Sequence, residues 1–153
     1  PPGVRKANGQ GKNKKLCFAT LRYWAEVALL NDSSEEQIVD FFAQAHAGDY
    51  LEVHAYDIGD FGQRIFVMVN HTTKRQTVSI RGTKNLITLL TNFKARPTEF
   101  LQGAKVHQGY LKVAQGLQKW ITPHLRQDYA LCLTGHSAGG TLSVILAMHY
   151  DAA

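Results

Sequence analysis

The stretch Leu131-Cys132-Leu133-Thr134-Gly135-His136-Ser137-Ala138-Gly139-Gly140 constrains this chain more than any other. Residues 130–133 are a short continuous apolar run, the pattern of a strand covered on both faces of a parallel sheet. Residues 142–148 are apolar nearly all round, which predicts a helix buried in the body of a domain. Between them lies Gly135-x-Ser137-x-Gly139, a G-x-S-x-G in a strand–turn–helix setting. A Ser on a tight, strained turn needs small neighbours, because its backbone passes close to the adjacent strand and helix. Gly135, Gly139 and Gly140 leave that room. The turn lifts the Ser137 hydroxyl clear of the sheet, and the helix N-terminus beneath it favours developing negative charge. Ser137 is therefore the candidate nucleophile. The plainer alternative is a Gly-rich turn whose Ser only caps the helix.

Composition narrows the classes. A chain of 153 residues with 44% hydrophobic and 19% charged residues suits one globular domain with a real core. No apolar run approaches the ~18 residues of a membrane span, and no signal peptide is visible. The chain opens on Pro rather than Met, so its natural start is expected upstream or removed. The net charge of +5 is local: Arg5, Lys6, Lys12, Lys14 and Lys15 are joined by no acid within residues 1–15. The rest holds 12 basic against 12 acidic residues. Residues 1–15 thus read as a basic, solvated arm, with binding to an anionic surface as the alternative; no nucleic-acid partner is expected. The two cysteines form no ligand spacing, and Cys132 reads as a small buried hydrophobe. The seven histidines show no metal pattern, and there is no P-loop or dinucleotide fingerprint. Neither a metal nor a cofactor is expected.

In chain order, residues 16–30 carry Phe18, Leu21, Ala25, Ala28 and Leu29 at helical spacing, with Asn31 as a stop. Ser33-Ser34-Glu35-Glu36 predicts a capping box with Ser33 at the cap. The following helix places Ile38, Phe41, Phe42 and Ala45 on one face and ends near Gly48. Residues 50–56 then alternate as a half-buried strand; Gly59 and Gly62 mark a turn before a second strand at 65–69. A polar turn at 71–75 leads to a third strand at 77–81, and connections this short join antiparallel neighbours. His54 and His71 read as surface residues without partners. Leu86, Ile87, Leu89, Leu90 and Phe93 form one stripe of a short helix starting near Lys84. Arg96-Pro97-Thr98 breaks it, residues 100–106 hold another strand, and Tyr110, Val113, Ala114, Leu117 and Ile121 mark a helix running up to Pro123. The order from Thr77 onward predicts an α/β sheet with right-handed crossovers.

Three motifs in order, Ser79-Ile80-Arg81-Gly82-Thr83, Val106-His107-Gln108-Gly109-Tyr110 and Thr134 to Gly140, resemble those of the class 3 lipases, the fungal-lipase-like branch of the α/β-hydrolases. Thr83 and Ser137 lie 54 residues apart, an interval similar to the family's. The resemblance covers residues 50–150 well and the first two helices loosely. It implies the N-terminal part of an α/β-hydrolase sheet, mixed, with antiparallel strands first and parallel strands up to the elbow, and helices packed on it. Residues 16–153 would be the N-terminal portion of one such domain, its C-terminal strands not in this chain.

By that resemblance Ser137 would attack an ester carbonyl, and the oxyanion would be held by the backbone N–H of Ala138 and by Thr83. Ala138 stands where the family usually has Leu, but it keeps the N–H. His107, His136 and Arg81 would be structural. Residues 84–93 match the family's lid helix, although an apolar stripe of this kind also suits a core helix. The implied activity is serine ester hydrolysis, on triacylglycerol or other carboxylic esters, including at a lipid–water interface. The alternatives are another acyl-transfer enzyme of the fold (thioesterase, phospholipase, peptidase) or a non-catalytic binding module. A secreted location follows from the family alone. A Ser nucleophile needs a base and a carboxylate, and α/β-hydrolases place them after the Ser in the chain. His149, twelve residues along the helix, is roughly 18 Å from Ser137. The triad Asp and His are therefore not found in this chain, and the remaining half of the domain is expected to supply them.

Overall fold

Strand content concentrates where branched and aromatic residues alternate. In the computed structural model, which describes residues 18–58, 63–82, 96–101 and 103–152, three consecutive strands form a meander. These are β1 (Leu51–Ile58), β2 (Gln63–Asn70) and β3 (Arg75–Ile80). β1 and β2 pair antiparallel with Leu51 opposite Asn70, and β2 and β3 with Ile65 opposite Ile80. A two-stranded ribbon follows, β4 (Pro97–Glu99) against β5 (Lys105–His107). The chain returns to the main sheet as β6 (Ala130–Gly135), parallel to β3 with Ile80 opposite Gly135. The sheet order is β1-β2-β3-β6, so among the described residues β1 and β6 are its edges. The mixed sheet, antiparallel first and parallel at the elbow, is the one expected.

Helices cover both faces. On one side α1 (Phe18–Leu29) and α2 (Glu35–Ala45) place Val27, Ile38 and Phe42 against Phe66 and Met68. On the other, α3 (Gln108–Ile121) and α4 (Ala138–Ala152) pack Val113, Leu117, Leu142 and Leu146 against Ile65, Val67, Val78 and Ile80. β2 is therefore buried along both its side-chain faces, and each of its buried apolar side chains, from Ile65 to Val69, contributes about 1.5–3 kcal/mol. β3 differs, because its α1-facing positions are polar. Ser79 is fully buried; it accepts from Asn31 Nδ2 at 2.6 Å and donates to the carbonyl of Val27 at 3.3 Å. Asn31 thus does more than stop α1: it fastens the α1–α2 junction to the sheet. Arg64 reinforces the junction by donating to the carbonyls of Ser33 (2.7 Å) and Asn31 (3.3 Å).

Several expectations are corrected. The cap of α2 is Ser34, not Ser33: its hydroxyl accepts from the Gln37 N–H at 3.2 Å, and its own N–H donates to Gln37 Oε1 at 2.9 Å. The box needs Gln or Glu at the third helical position, and Gln37 fixes the register. α1 buries Val27 and half-buries Tyr23 and Trp24, whereas Leu21 and Leu29 are 48% and 55% exposed and Ala25 is also exposed. α1 has two apolar stripes, and the aromatic one matches Met68 and Phe66 beneath it. Ala45, at the end of α2, is exposed as well. Pro97, expected in a stretch that breaks a helix, opens β4, and the residues 100–106 expected to be extended include the connecting turn, closed by Phe100 N–H to Ala104 O at 2.7 Å. α4 is not buried all round, since Val144 is 61% exposed. Residues 1–15, Cys17, the turn at Gly59 and Gly62, Thr83 and the stripe at 84–93 lie outside the described residues.

Candidate active site

β6 delivers the chain to the C-terminal end of the sheet, and α4 begins three residues after the strand's last member. Reversing direction in that space forces Ser137 to φ 55°, the left-handed region that a non-Gly residue adopts only under constraint. Strain of this kind, about 1–3 kcal/mol, persists where surrounding structure over-determines it. The surroundings do so here. A Cβ on Gly139 would overlap the carbonyl of Ile80, and one on Gly135 would sit 2.6 Å from both Ile80 O and the Gly139 backbone. Ser143, 5% exposed, donates to the carbonyls of Thr134 and Gly139, both at 2.8 Å, and so pins α4 to the end of β6. That clamp was not seen in the sequence; its only trace is a Ser one turn after a helix start.

The result is an exposed Ser137 whose side chain makes no hydrogen bond among the described residues. Its carbonyl accepts from Gly140 (3.0 Å) and Thr141 (3.3 Å), and Gly139 donates to His136 O (2.9 Å). The N–H of Ala138, in the first turn of α4, is left without an acceptor among the described residues. The end of β3 comes close as well. A Cβ on Gly82 would stand 3.2 Å from that of Ser137 and 2.6 Å from the His136 carbonyl. Residue 82 thus passes directly beside Ser137, and Thr83 is the next residue in the chain. Arg81 points its Nε at Asp32, 2.8 Å away, an ion pair rather than a free catalytic cation.

Four of the histidines are engaged elsewhere. His107 caps α3, its Nδ1 accepting from the Gly109 N–H at 3.1 Å. His124 bonds the Trp120 carbonyl at 2.8 Å. His71 is not the partnerless surface residue expected: it lies 2.9 Å from the Tyr129 hydroxyl and 3.3 Å from Glu52, and stacks on Tyr50. His46 meets the Tyr23 hydroxyl at 2.8 Å and Asp49 at 3.6 Å. Both imidazole–carboxylate pairs lie at the Asn70–Arg75 end of the sheet, separated from Ser137 by the length of β3, about 17 Å. His136 and His54 are exposed, and His149 sits in the last turn of α4. No group of metal-binding side chains occurs among the described residues, and no described helix is long and apolar enough to cross a membrane.

A left-handed Ser between a parallel strand and a helix, on a mixed sheet layered by helices, has the strand–turn–helix geometry of the elbow in the α/β-hydrolase fold. Residues 77–152 match the model of the lipase (class 3) family. The fold is similar to the lipase of Rhizopus microsporus var. chinensis (20% identity, 88% of this chain and 51% of that one, TM-score 0.67). It is similar to the Rhizomucor miehei triacylglyceride lipase (16%, 89% and 57%, TM-score 0.60) and to nonglycosylated LIP2 lipase of Yarrowia lipolytica (25%, 70% and 43%, TM-score 0.53). The chain therefore spans about half the length of the solved lipases it matches. No curated protein sequence matches it.

Proposed function

We propose that the protein is a lipase that hydrolyses carboxylic esters through Ser137. The carrying observation is the exposed, unpartnered hydroxyl on a left-handed backbone at the mouth of the elbow. Ser137 Oγ attacks the ester carbonyl and passes its proton to a base. The carbonyl oxygen becomes an oxyanion beside the Ala138 N–H, and the alcohol leaves with the proton. Water then releases the acid from the acyl-enzyme and restores the hydroxyl. Thr83, which follows Gly82 in the chain, is the second oxyanion donor. Such donors supply a few kcal/mol of transition-state stabilisation. The base and its carboxylate are assigned to a portion of the protein following residue 153, in the chain order usual for the fold.

A lipid substrate is supported by the family and by the matched structures, one a triacylglycerol lipase built on a serine protease triad and another tied to interfacial activation. The stripe Leu86, Ile87, Leu89, Leu90 and Phe93 is assigned to a lid over Ser137. Opening it would expose an apolar surface to lipid. The test is ester hydrolysis by the full-length protein across the concentration at which substrate forms micelles. Activity should rise at that point and vanish in Ser137→Ala. A double Leu86→Ser, Leu90→Ser change should lower turnover of aggregated substrate more than of a soluble short-chain ester. Equal turnover by Ser137→Ala would overturn the reading.

A further inference from the structure

Ser143 lies on the sheet-facing side of α4, in a run with the buried Leu142, Ile145 and Leu146. An apolar residue would pack there without penalty. A buried hydroxyl costs free energy unless it is bonded, and a Ser bonded back along its own helix weakens that helix slightly. What Ser143 supplies is a link between elements. Its hydroxyl reaches the carbonyl of Gly139, one turn back, and the carbonyl of Thr134 on β6, each at 2.8 Å. Those two carbonyls bracket residues 135–139, the turn that carries Ser137 at φ 55° and the Ala138 N–H. With glycine at 135, 139 and 140, the turn has few side chains of its own to hold it. One hydroxyl proton shared between the two carbonyls ties the end of the strand to the first turn of the helix. A carbonyl oxygen accepts two donors, so a further strand paired with β6 would not displace the tie.

We propose that Ser143 is a positioning residue for ester hydrolysis: by bridging Thr134 and Gly139 it fixes the direction of the Ala138 N–H relative to Ser137 Oγ. The inference rests on the reading of Ser137 as the nucleophile. The Ala138 N–H is useful only if it points at the oxygen where charge develops, and a preorganised donor works because it need not reorient during the reaction. Without the Ser143 hydroxyl, Leu142 and Leu146 still pack in the core and Gly139 still abuts the Ile80 carbonyl, so α4 stays docked. Its first turn, however, gains freedom to shift against β6, and the strained backbone of Ser137 is where that shift is taken up. The loss falls on the transition state, hence on kcat and not on KM.

Steady-state hydrolysis of p-nitrophenyl butyrate by the full-length protein, well below the Tm of each variant, tests this. Ser143→Ala should lower kcat about tenfold with KM within about twofold, a smaller loss than the roughly 100- to 1,000-fold of removing an oxyanion donor outright. Phenylboronic acid, whose adduct with the Ser137 hydroxyl mimics the tetrahedral intermediate, should bind Ser143→Ala about tenfold more weakly. The pH dependence of kcat should not move, because the base is untouched. Ser143→Cys keeps the volume with a weaker donor, and its kcat should fall between those of wild type and Ser143→Ala. A folded Ser143→Ala with wild-type kcat and boronate affinity overturns the proposal, since a purely structural role would lower Tm alone. A shifted pH profile also overturns it, by placing the effect on the base. If Ser143→Ala does not fold, wild-type kcat in Ser143→Cys has the same force. Fluorophosphonate labelling separates the two readings: no labelling of wild type overturns the assignment of Ser137, whereas labelling with an unaffected Ser143→Ala overturns this inference alone.

Discussion

Gly139 at the start of α4 lies so close to the carbonyl of Ile80 that no side chain fits between them. This contact joins the last residue of β3 to the first turn of the elbow helix, and it holds Ser137 in its left-handed conformation. Gly139→Ala must displace either the strand end or the helix. It should lower stability by about 1–3 kcal/mol, as overpacking does, and should reduce turnover of a soluble ester even at temperatures where the variant stays folded. Thermal unfolding and an ester assay on the same sample check both effects.

The cap of α2 offers a comparison between adjacent residues. Ser34→Ala removes the hydroxyl that accepts from Gln37 and should cost about 1 kcal/mol. For a protein of this size that is a fall of about 2–4 °C in Tm. Ser33→Ala should change stability by less than about 0.5 kcal/mol, because Ser33 offers Arg64 only its carbonyl, which alanine keeps. Equal losses from the two substitutions would contradict the assigned register.

Asn31→Ala should be more damaging than either. It deletes a buried 2.6 Å hydrogen bond and leaves Ser79 with its contact to the Val27 carbonyl alone. A loss of about 1–3 kcal/mol is expected from denaturant unfolding. Asn31→Asp should not rescue it, since a carboxylate cannot donate to Ser79 and would be buried there.

The pairs around Glu52 predict an acid response. Arg126, 2.9 Å away, is the main group holding the Glu52 carboxylate below its ordinary 4.5, with His71 assisting. A carboxylate more acidic in the folded than in the unfolded chain stabilises the fold above its unfolded value. That contribution is lost as pH falls through the lower folded value. Glu52→Gln should therefore lower Tm slightly near neutrality and flatten its decline below about pH 4.5. The effect is modest because the side chain is 33% exposed.

The elbow was legible in the sequence because its constraints are local: strand, three glycines, a Ser and a helix within twenty residues. The antiparallel meander was legible for the same reason, its turns being short. What escaped the sequence depends on distant partners. His71 acquires Tyr129 from 58 residues away, and no periodicity records that meeting. Which stripe of α1 is buried was settled by Phe66 and Met68 on β2. Arg75, read as the end of a polar turn, instead opens β3, where it pairs with Asn70 and Ala130 on the two neighbouring strands.

The account rests on Ser137 being an activated nucleophile, and a fluorophosphonate probe reports that most directly. The full-length protein should take up one equivalent of the probe at Ser137, and Ser137→Ala should take up none. Unchanged labelling of Ser137→Ala, or no labelling of a folded wild type that hydrolyses esters, would contradict it.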